Sequence, residues 1–388
     1  MSKRHLLSLA VCLASLPALA VEQGEYQING FGTVGVTHMG GESDLDYGMQ
    51  GQTNDGWRGD QLSKLAVQLR YGITDTLSVT GQLGTKPTQD SWEVGPGNLY
   101  LAWQANDNLT LRGGRLGTPV YMYSETLNVG FSYPWLRLPE EVYSLVQVAS
   151  HDGGDVLYNR STDIGTLSFQ VAGGQAIKRD FYAVDDTHDF DYRDVFATSL
   201  ALSTDNFGTF RVGYAEADLQ TTIESDIQRA PGLPITPNYP LSTYDGQKGK
   251  FTSFGHQYDN GTWLSAAEAV KLSVENNEEA ATNAFYIMGG RRFGDYLGHV
   301  TYGQLDEPSG RQVSMTYGLN YSITPTVTLK GEYKRVDTSQ GDESIGVFKA
   351  NGQQTYNNGV YQTFNGLAGA PLGTHDADIF SVGVDFIF

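Results

Sequence analysis

Apolar and polar side chains alternate with a period of two along most of this chain. Near its end, "SVGVDFIF", the apolar side chains at alternate positions are Phe380, Val382, Val384, Phe386 and Phe388. The positions between them are occupied by Ser381, Gly383 and Asp385, and by Ile387. Such alternation is typical of a β-strand with one apolar face. Runs of about 8–13 residues repeat it. The clearest are 64–71, 76–84, 98–104, 108–116, 166–174, 209–217, 312–322 and 326–335.

Short turns and longer polar connections alternate between these predicted strands. The short turns are rich in Asn, Asp, Gly and Pro, and they are 72–76, 105–108, 161–165, 203–208, 259–261, 294–296 and 323–326. The longer connections are 40–60, 87–91, 117–153, 175–191, 219–248, 274–280, 306–310 and 338–375. Together they join about sixteen strands and place both ends of the sheet on the short-turn side.

The polar parity of the strands decides between two all-β architectures. It carries side chains that the core of a soluble sandwich could not hold, namely Gln68, Arg70, Gln82, Gln170, Asn320 and Lys330. The apolar face must therefore meet an apolar medium. A sheet in lipid has to close, because an open edge would leave backbone groups unpaired. The pattern predicts a transmembrane antiparallel β-barrel of about 16 strands, with short turns on the periplasmic side and long loops outside.

The first twenty residues predict a secretory signal peptide. Lys3 and Arg4 precede an apolar run that ends at "ALA", so residues 1–20 would be removed and 21–388 would form the barrel. The full chain has 388 residues and a formal charge of −19. Without Lys3, Arg4 and the single cysteine, 23 basic residues would face 44 acidic ones, a charge of −21. Such acidity argues against nucleic acid as a partner. After residue 20 no apolar run approaches the ~18 residues of a membrane helix.

The chain resembles Gram-negative outer-membrane porins of the general-diffusion type. The resemblance rests on the signal peptide, the strand number, the acidic balance and Phe388. Its most specific block is 111–160, "LRGGRLGTPVYMYSETLNVGFSYPWLRLPEEVYSLVQVASHDGGDVLYNR", which resembles strand five, the third loop and strand six of porins. It is more closely similar to a porin-like family of gamma-proteobacteria with a "YPW-R-P-EVY" stretch.

The resemblance implies a location, a function and an assembly. We expect a homotrimer in the bacterial outer membrane, in contact with membrane lipids and lipopolysaccharide. It would be a channel for passive diffusion of small hydrophilic solutes and ions, with the long third loop, 117–153, folded into the lumen as a constriction. Phe388 and Phe386 resemble the C-terminal signal that guides outer-membrane assembly.

Charged residues of the loop and the wall are the candidate selectivity residues. Acids on the loop opposite bases on the wall would set a transverse field across the water-filled gap. The candidates are Lys64, Arg112, Glu125, Arg137, Glu140, Glu141 and Lys330. Because the loop is net acidic, we expect a weak preference for cations.

Two further motifs suggest other chemistry but fit the barrel better. "GFGTVG" (30–35) matches a dinucleotide-binding pattern, but no helix is predicted after it, so its glycines are assigned to a strand. "DDTHDFD" (185–191) is a weak metal candidate through Asp185, Asp186, Asp189 and Asp191, without the glycine-centred spacing of a calcium loop. No nucleophile–base motif is present, so neither an enzyme nor a cofactor is predicted.

Two alternative functions stay open. One is a substrate-selective channel for oligosaccharides or organic acids, with an aromatic path formed by Tyr121, Tyr123, Tyr133 and Trp135. The other is a non-conducting structural or adhesive barrel, whose working surface would be the polar loops 219–248 and 338–375.

Overall fold

The computed structural model describes residues 22–41, 46–48, 52, 56–87, 92–146, 148–183, 186–225, 239–308, 310–338, 346–349 and 374–388. Eighteen strands lie in this part of the chain. They are β1 (Tyr26–Gly40), β2 (Asp46–Tyr47), β3 (Lys64–Gly72), β4 (Leu77–Pro87), β5 (Trp92–Asn106), β6 (Leu109–Gly117), β7 (Ser150–Thr162), β8 (Gly165–Ala183), β9 (Asp186–Thr204), β10 (Gly208–Ser225), β11 (Tyr239–Asp259), β12 (Trp263–Val274), β13 (Asn277–Phe293), β14 (Tyr296–Glu307), β15 (Gly310–Thr324), β16 (Val327–Asp337), β17 (Phe348–Lys349) and β18 (Asp376–Ile387). The predicted signal peptide lies outside the described residues.

Sixteen of these strands form one closed antiparallel barrel. Each barrel strand pairs with its neighbours in the chain, and β18 pairs with β1 to close the sheet. β2 and β17 form a separate two-stranded sheet. The predicted all-β barrel of about sixteen strands is therefore confirmed. Among the described residues, no helix is long and apolar enough to cross a membrane.

The outer face of the barrel is apolar and the inner face is largely polar. On β18, Phe380 and Val382 are each 46% exposed, whereas Ser381 and Asp385 on the other parity are buried. β3 shows the same contrast, with Leu69 outside and Gln68 inside, whereas β12 and β13 also carry buried apolar side chains on their inner face. A soluble protein would bury the apolar face instead. The period-two alternation thus predicted correctly which side chains face outwards.

Phe388 lies at the seam where the barrel closes. Its backbone NH donates to Gly30 O at 2.9 Å, and its carbonyl accepts from Gly30 NH at 2.8 Å. The Phe388 ring covers Gly30, and the Phe386 ring covers Gly32 in the same way, so a side chain at either glycine would collide with an aromatic ring. Two glycines of "GFGTVG" therefore make room for aromatic rings on the outer surface.

Several predicted loops are partly strand. β8 runs to Ala183 and β9 begins at Asp186, so most of 175–191 belongs to a hairpin. β10 and β11 likewise extend into 219–248, and most of 274–280 and of 306–310 also belongs to strands. Strands pair through backbone hydrogen bonds, which do not require alternating apolar side chains. A polar sequence therefore gives no signal for these strand extensions.

One long connection enters the barrel. Residues 118–149, between β6 and β7, are called the lumen loop below. The predicted range 117–153 was slightly too long, because Gly117 and Ser150 already belong to strands. The loop contains two 3-10 turns, Ser124–Thr126 and Gly130–Ser132, and one short helix, α1 (Glu140–Tyr143).

Candidate functional site

The lumen loop packs against the inner wall formed by β11 to β16. Glu268 on β12 accepts hydrogen bonds from the Met122 backbone NH at 2.8 Å and from the Tyr143 hydroxyl at 2.7 Å. The indole NH of Trp135 donates to the Thr301 hydroxyl on β14 at 2.8 Å. Buried polar groups need such partners, and here strand side chains supply them to the loop.

Lys330 on β16 is the most heavily used anchor of the loop. Its ammonium donates to the carbonyls of Gly130, Tyr133 and Trp135 at 2.9, 2.6 and 3.0 Å. It also lies 2.6 Å from a carboxylate oxygen of Asp385 on β18, and both side chains are almost completely buried. The structure thus places Lys330 under the loop rather than on an open lumen surface.

A second ion cluster holds helix α1. Lys334 Nζ lies 3.1 Å from Glu141 Oε1 and 3.5 Å from Glu140 Oε2. The amide of Gln312 and the hydroxyl of Tyr47 also donate to Glu141 Oε1, at 3.0 and 3.3 Å. Burial disfavours the charged form of Glu141, but Lys334 and the hydrogen bonds outweigh this effect and lower its pKa. Glu140 and Glu141 are both buried in this cluster.

The β2–β17 sheet joins the same cluster. Tyr47 of β2 and Phe348 of β17 make an edge-to-face contact at 5.1 Å and are both completely buried. The backbone NH of Val347 donates to Gln312 Oε1 at 2.9 Å. Segments from the connections after β1 and after β16 therefore meet α1 inside the barrel. The sequence analysis treated those connections only as outer loops.

Five of the six aromatic residues of the lumen loop form a packed cluster. Each of the five is at most 6% exposed, and they are Tyr121, Tyr123, Tyr133, Trp135 and Tyr143. The Trp135 and Tyr286 rings meet edge to face at 5.5 Å, which ties the cluster to β13. An aromatic path for sugars would need exposed ring faces. The geometry therefore favours loop packing for these rings.

Glu125 and Arg112 lie on the solvent-accessible side of the loop. Glu125 lies in a 3-10 turn, its side chain is 41% exposed, and its carboxylate lies 3.7 Å from Arg112 Nη2. Arg112 on β6 also forms a tight pair with Asp155 on β7, with Nε to Oδ1 at 2.9 Å and Nη2 to Oδ2 at 2.5 Å. Its guanidinium carbon lies 5.2 Å from the Tyr100 ring centre. This cluster carries two acids and one base.

The remaining predicted residues take positions near the loop. Lys64 on β3 donates to the Tyr133 hydroxyl at 3.3 Å. Arg137 lines a pocket behind the loop with Trp135, Glu332 and Lys334. The seven selectivity candidates thus fall into groups: Arg112 with Glu125, Lys330 and Lys64 with the loop, and Glu140, Glu141 and Arg137 near Lys334. Their part in selectivity stays a prediction.

Most of the wall residues that hold the loop were not predicted from the sequence to contact it. Besides Glu268, Lys334 and Asp385, Glu332 accepts from the Leu136 backbone NH at 2.9 Å and Asn320 donates to Pro134 O at 2.8 Å. Gly303 belongs to the same set, because a side chain there would collide with Glu141. One feature of the sequence could have identified them: charged residues occupy inward-facing positions on strands that lie far from the loop along the chain.

The acidic cluster at 185–191 is only partly described. Asp185 lies outside the described residues, and Asp186 is described only as part of β9. Asp189 is exposed, whereas Asp191 pairs with Arg193 at 2.9 Å. In the described part of the chain, no group of three or more His, Cys, Asp or Glu residues is placed to hold a metal ion.

Comparisons with known proteins support the barrel as a whole. No protein-family model and no curated protein sequence matches the chain. Among solved structures, OmpT of Vibrio cholerae is 12% identical with a TM-score of 0.57, over 95% of this chain and 98% of that one. An anion-selective porin from Comamonas acidovorans is 14% identical with a TM-score of 0.57, over 94% and 100%. OmpF of Salmonella typhi, in complex with daunomycin, is 14% identical with a TM-score of 0.54, over 94% and 98%.

Proposed function

Since the chain has the fold of Gram-negative outer-membrane porins, we propose that it is a passive, water-filled channel of the outer membrane for small hydrophilic solutes and ions. The observation that carries this proposal is the exposed Glu125 beside Arg112 inside a barrel whose lumen loop is mostly packed against the wall. A sixteen-stranded barrel encloses an aqueous channel unless something fills it. The lumen loop would narrow the channel, and Glu125 would line what stays open.

Weak cation preference follows from the local charges. Asp155 already pairs with Arg112, so Glu125 adds a negative charge that Arg112 alone does not balance. Anion selectivity is a property of the porin from Comamonas acidovorans. Because the two chains are only 14% identical, it is not transferred to this lumen.

The buried histidines argue against a catalytic site under the loop. His151 accepts or donates one hydrogen bond with Thr118 at 3.2 Å and is completely buried. His299 lies against Trp135 and 4.0 Å from Glu332, also buried. Such positions favour packing between loop and wall over contact with a substrate. The proposal therefore includes no enzyme activity.

A homotrimer is the proposed assembly. It is supported by the resemblance seen in the sequence and by the trimer form described for Vibrio cholerae OmpT. Single-channel recordings test the assembly directly, since three equal pores in one particle open in steps of three.

Planar-bilayer recording in a salt gradient tests the function and the role of Glu125 together. The wild-type protein should give stable ohmic conductance steps and a reversal potential that corresponds to a preference for cations. Glu125→Gln should move the reversal potential towards anions, and Arg112→Gln should move it further towards cations. Glu278→Gln, at an exposed position near the start of β13, is the matched control. A folded barrel without conductance would overturn the channel proposal, whereas steps with an unmoved reversal potential would remove Glu125 from the pathway.

A further inference from the structure

One cation on the lipid-facing surface lies between two aromatic rings. Arg291 on β13 pairs in register with Trp263 on β12, and its guanidinium carbon lies 4.9 Å from the Trp263 ring centre. It also lies 4.9 Å from the ring centre of Phe293, two residues further along β13. Both rings are more than half exposed. Such cation–π contacts hold the guanidinium in place while its NH groups stay free to donate.

The position of Arg291 corresponds to the short-turn rim of the barrel. Trp263 and Phe293 each adjoin a short turn, and Tyr296 and Tyr321 stack beside them at 4.8 Å. Aromatic girdles of this kind mark the boundary between hydrocarbon and headgroups. On the proposed location in the outer membrane, Arg291 lies at the headgroups of the periplasmic leaflet.

No acidic side chain within 4.0 Å neutralises Arg291 in the described part of the chain. Two other outward arginines are paired: Arg311 lies 2.5 Å from Asp306, and Arg335 lies 2.6 and 2.7 Å from Asp376 and Asp378. What distinguishes Arg291 is that it combines an unneutralised charge with contacts to two aromatic rings, in a chain with a formal charge of −19. It provides charge complementary to an anion.

A shallow groove leads from Arg291 towards the middle of the membrane-facing band. Gly298 on β14 pairs in register with Arg291, and Gly289 pairs with Val300 one step further from the rim. Both glycines face open space, since a side chain at either would meet nothing within 4 Å. The exposed side chains of Ile287 and Val300 stand beside them. The missing side chains leave a shallow depression on the surface between these neighbours.

We propose that Arg291 and this glycine groove form a binding site for one glycerophospholipid of the periplasmic leaflet. The phosphate would accept charge-assisted hydrogen bonds from the guanidinium, and one acyl chain would lie over Gly289 and Gly298. The site lies outside the lumen, so it adds a lipid partner to the proposed channel without altering the pathway for solutes.

Native mass spectrometry of the full barrel in detergent, titrated with dioleoyl phosphatidylethanolamine, tests this site. Arg291→Gln should weaken binding about tenfold, the loss of a charge-assisted contact. Gly289→Leu/Gly298→Leu should weaken the lipid adduct while leaving Arg291 in place. Arg311→Gln, an exposed outward arginine that is paired, is the control and should bind like the wild type. Single-channel conductance should be the same for all four proteins, so a failed lipid test is distinguishable from a failed channel proposal.

Three results would overturn the assignment. Equal lipid binding by the wild type and Arg291→Gln would remove the arginine from any lipid site. Glycerol 3-phosphate that binds as tightly as the phospholipid would assign Arg291 to a free anion and leave the groove without a role. If the wild type forms a larger oligomer and Gly289→Leu/Gly298→Leu does not, the groove is a contact between copies of the chain.

Discussion

At the scale of single residues, position relative to the lumen loop decides what an inward charge does. Lys330 and Arg112 both face inwards from the barrel wall. Lys330 is 2% exposed and holds three loop carbonyls, whereas Arg112 lies beside the exposed Glu125. The same parity on a strand therefore yields an anchor in one place and a candidate pore residue in another.

Lys330→Met should free the middle of the lumen loop. The substitution leaves Asp385 and three carbonyls without their buried donor, and removing one partner of a buried pair costs about 3–5 kcal/mol. We expect a lower melting temperature by circular dichroism in detergent and larger, noisier single-channel steps.

Two further variants separate charge from packing at this anchor. Lys330→Met/Asp385→Asn should recover part of the melting temperature, because the uncompensated carboxylate is gone, but not the quiet conductance. Lys271→Met, at an exposed position of β12, should behave like the wild type. If Lys330→Met conducts and melts like the wild type, the ammonium is not an anchor.

At the scale of elements, three connections combine to fix the loop. Helix α1, β2 and β17 come from different connections, and they share the contacts of Glu141 with Lys334, Tyr47 and Gln312. Each piece is too short to be stable alone. Their joint stability depends on the buried ion cluster, which makes the cluster sensitive to protonation.

Acid should release α1. The pKa of Glu141 is lowered from its ordinary value of 4.5, because Lys334 and hydrogen bonds outweigh the cost of burial. A carboxyl group whose pKa is lowered in the folded protein stabilises the fold at pH values above its ordinary pKa. This stabilisation is lost as the pH falls through the lowered pKa. Besides Lys334, the charged or titratable neighbours are Glu140 and Tyr47. Current noise should therefore rise in a step below pH 4.5.

The variant Glu141→Gln tests whether this residue causes the step. It should be noisy already at neutral pH and show no further step on acidification. Glu278→Gln, with an exposed side chain near the start of β13, controls for the general protonation of acids and should keep the step. An unchanged step in Glu141→Gln would assign the acid response to other residues.

At the scale of the whole molecule, closure of the barrel depends on the pairing of its first and last strands. β1 and β18 pair from Phe31 with Ile387 to Gly40 with Asp378. The rings of Phe386 and Phe388 cover Gly32 and Gly30 across this seam. The seam is the contact with the largest separation in sequence, so it has the largest loop-closure cost.

Phe388→Ala should weaken this closure. The backbone bonds with Gly30 would persist, but the cross-strand ring contact, worth roughly 1 kcal/mol, would be lost. We expect a lower refolding yield into lipid vesicles and a small drop in melting temperature. Phe169→Ala, a 41% exposed ring on β8 away from the seam, is the control. Equal losses in both variants would mean that any outer aromatic contributes as much as Phe388.

The sequence by itself determined the strands, their inner and outer faces and the barrel class, because side-chain alternation along a strand is local. It also located the long connection that enters the lumen. It could not show that Lys330 lies beneath that loop and that Glu140 and Glu141 of the loop are buried against the wall, while Arg112 and Glu125 stay in contact with solvent. Only the tertiary structure decided this, because burial depends on the path of a loop whose partners lie more than a hundred residues away on other strands.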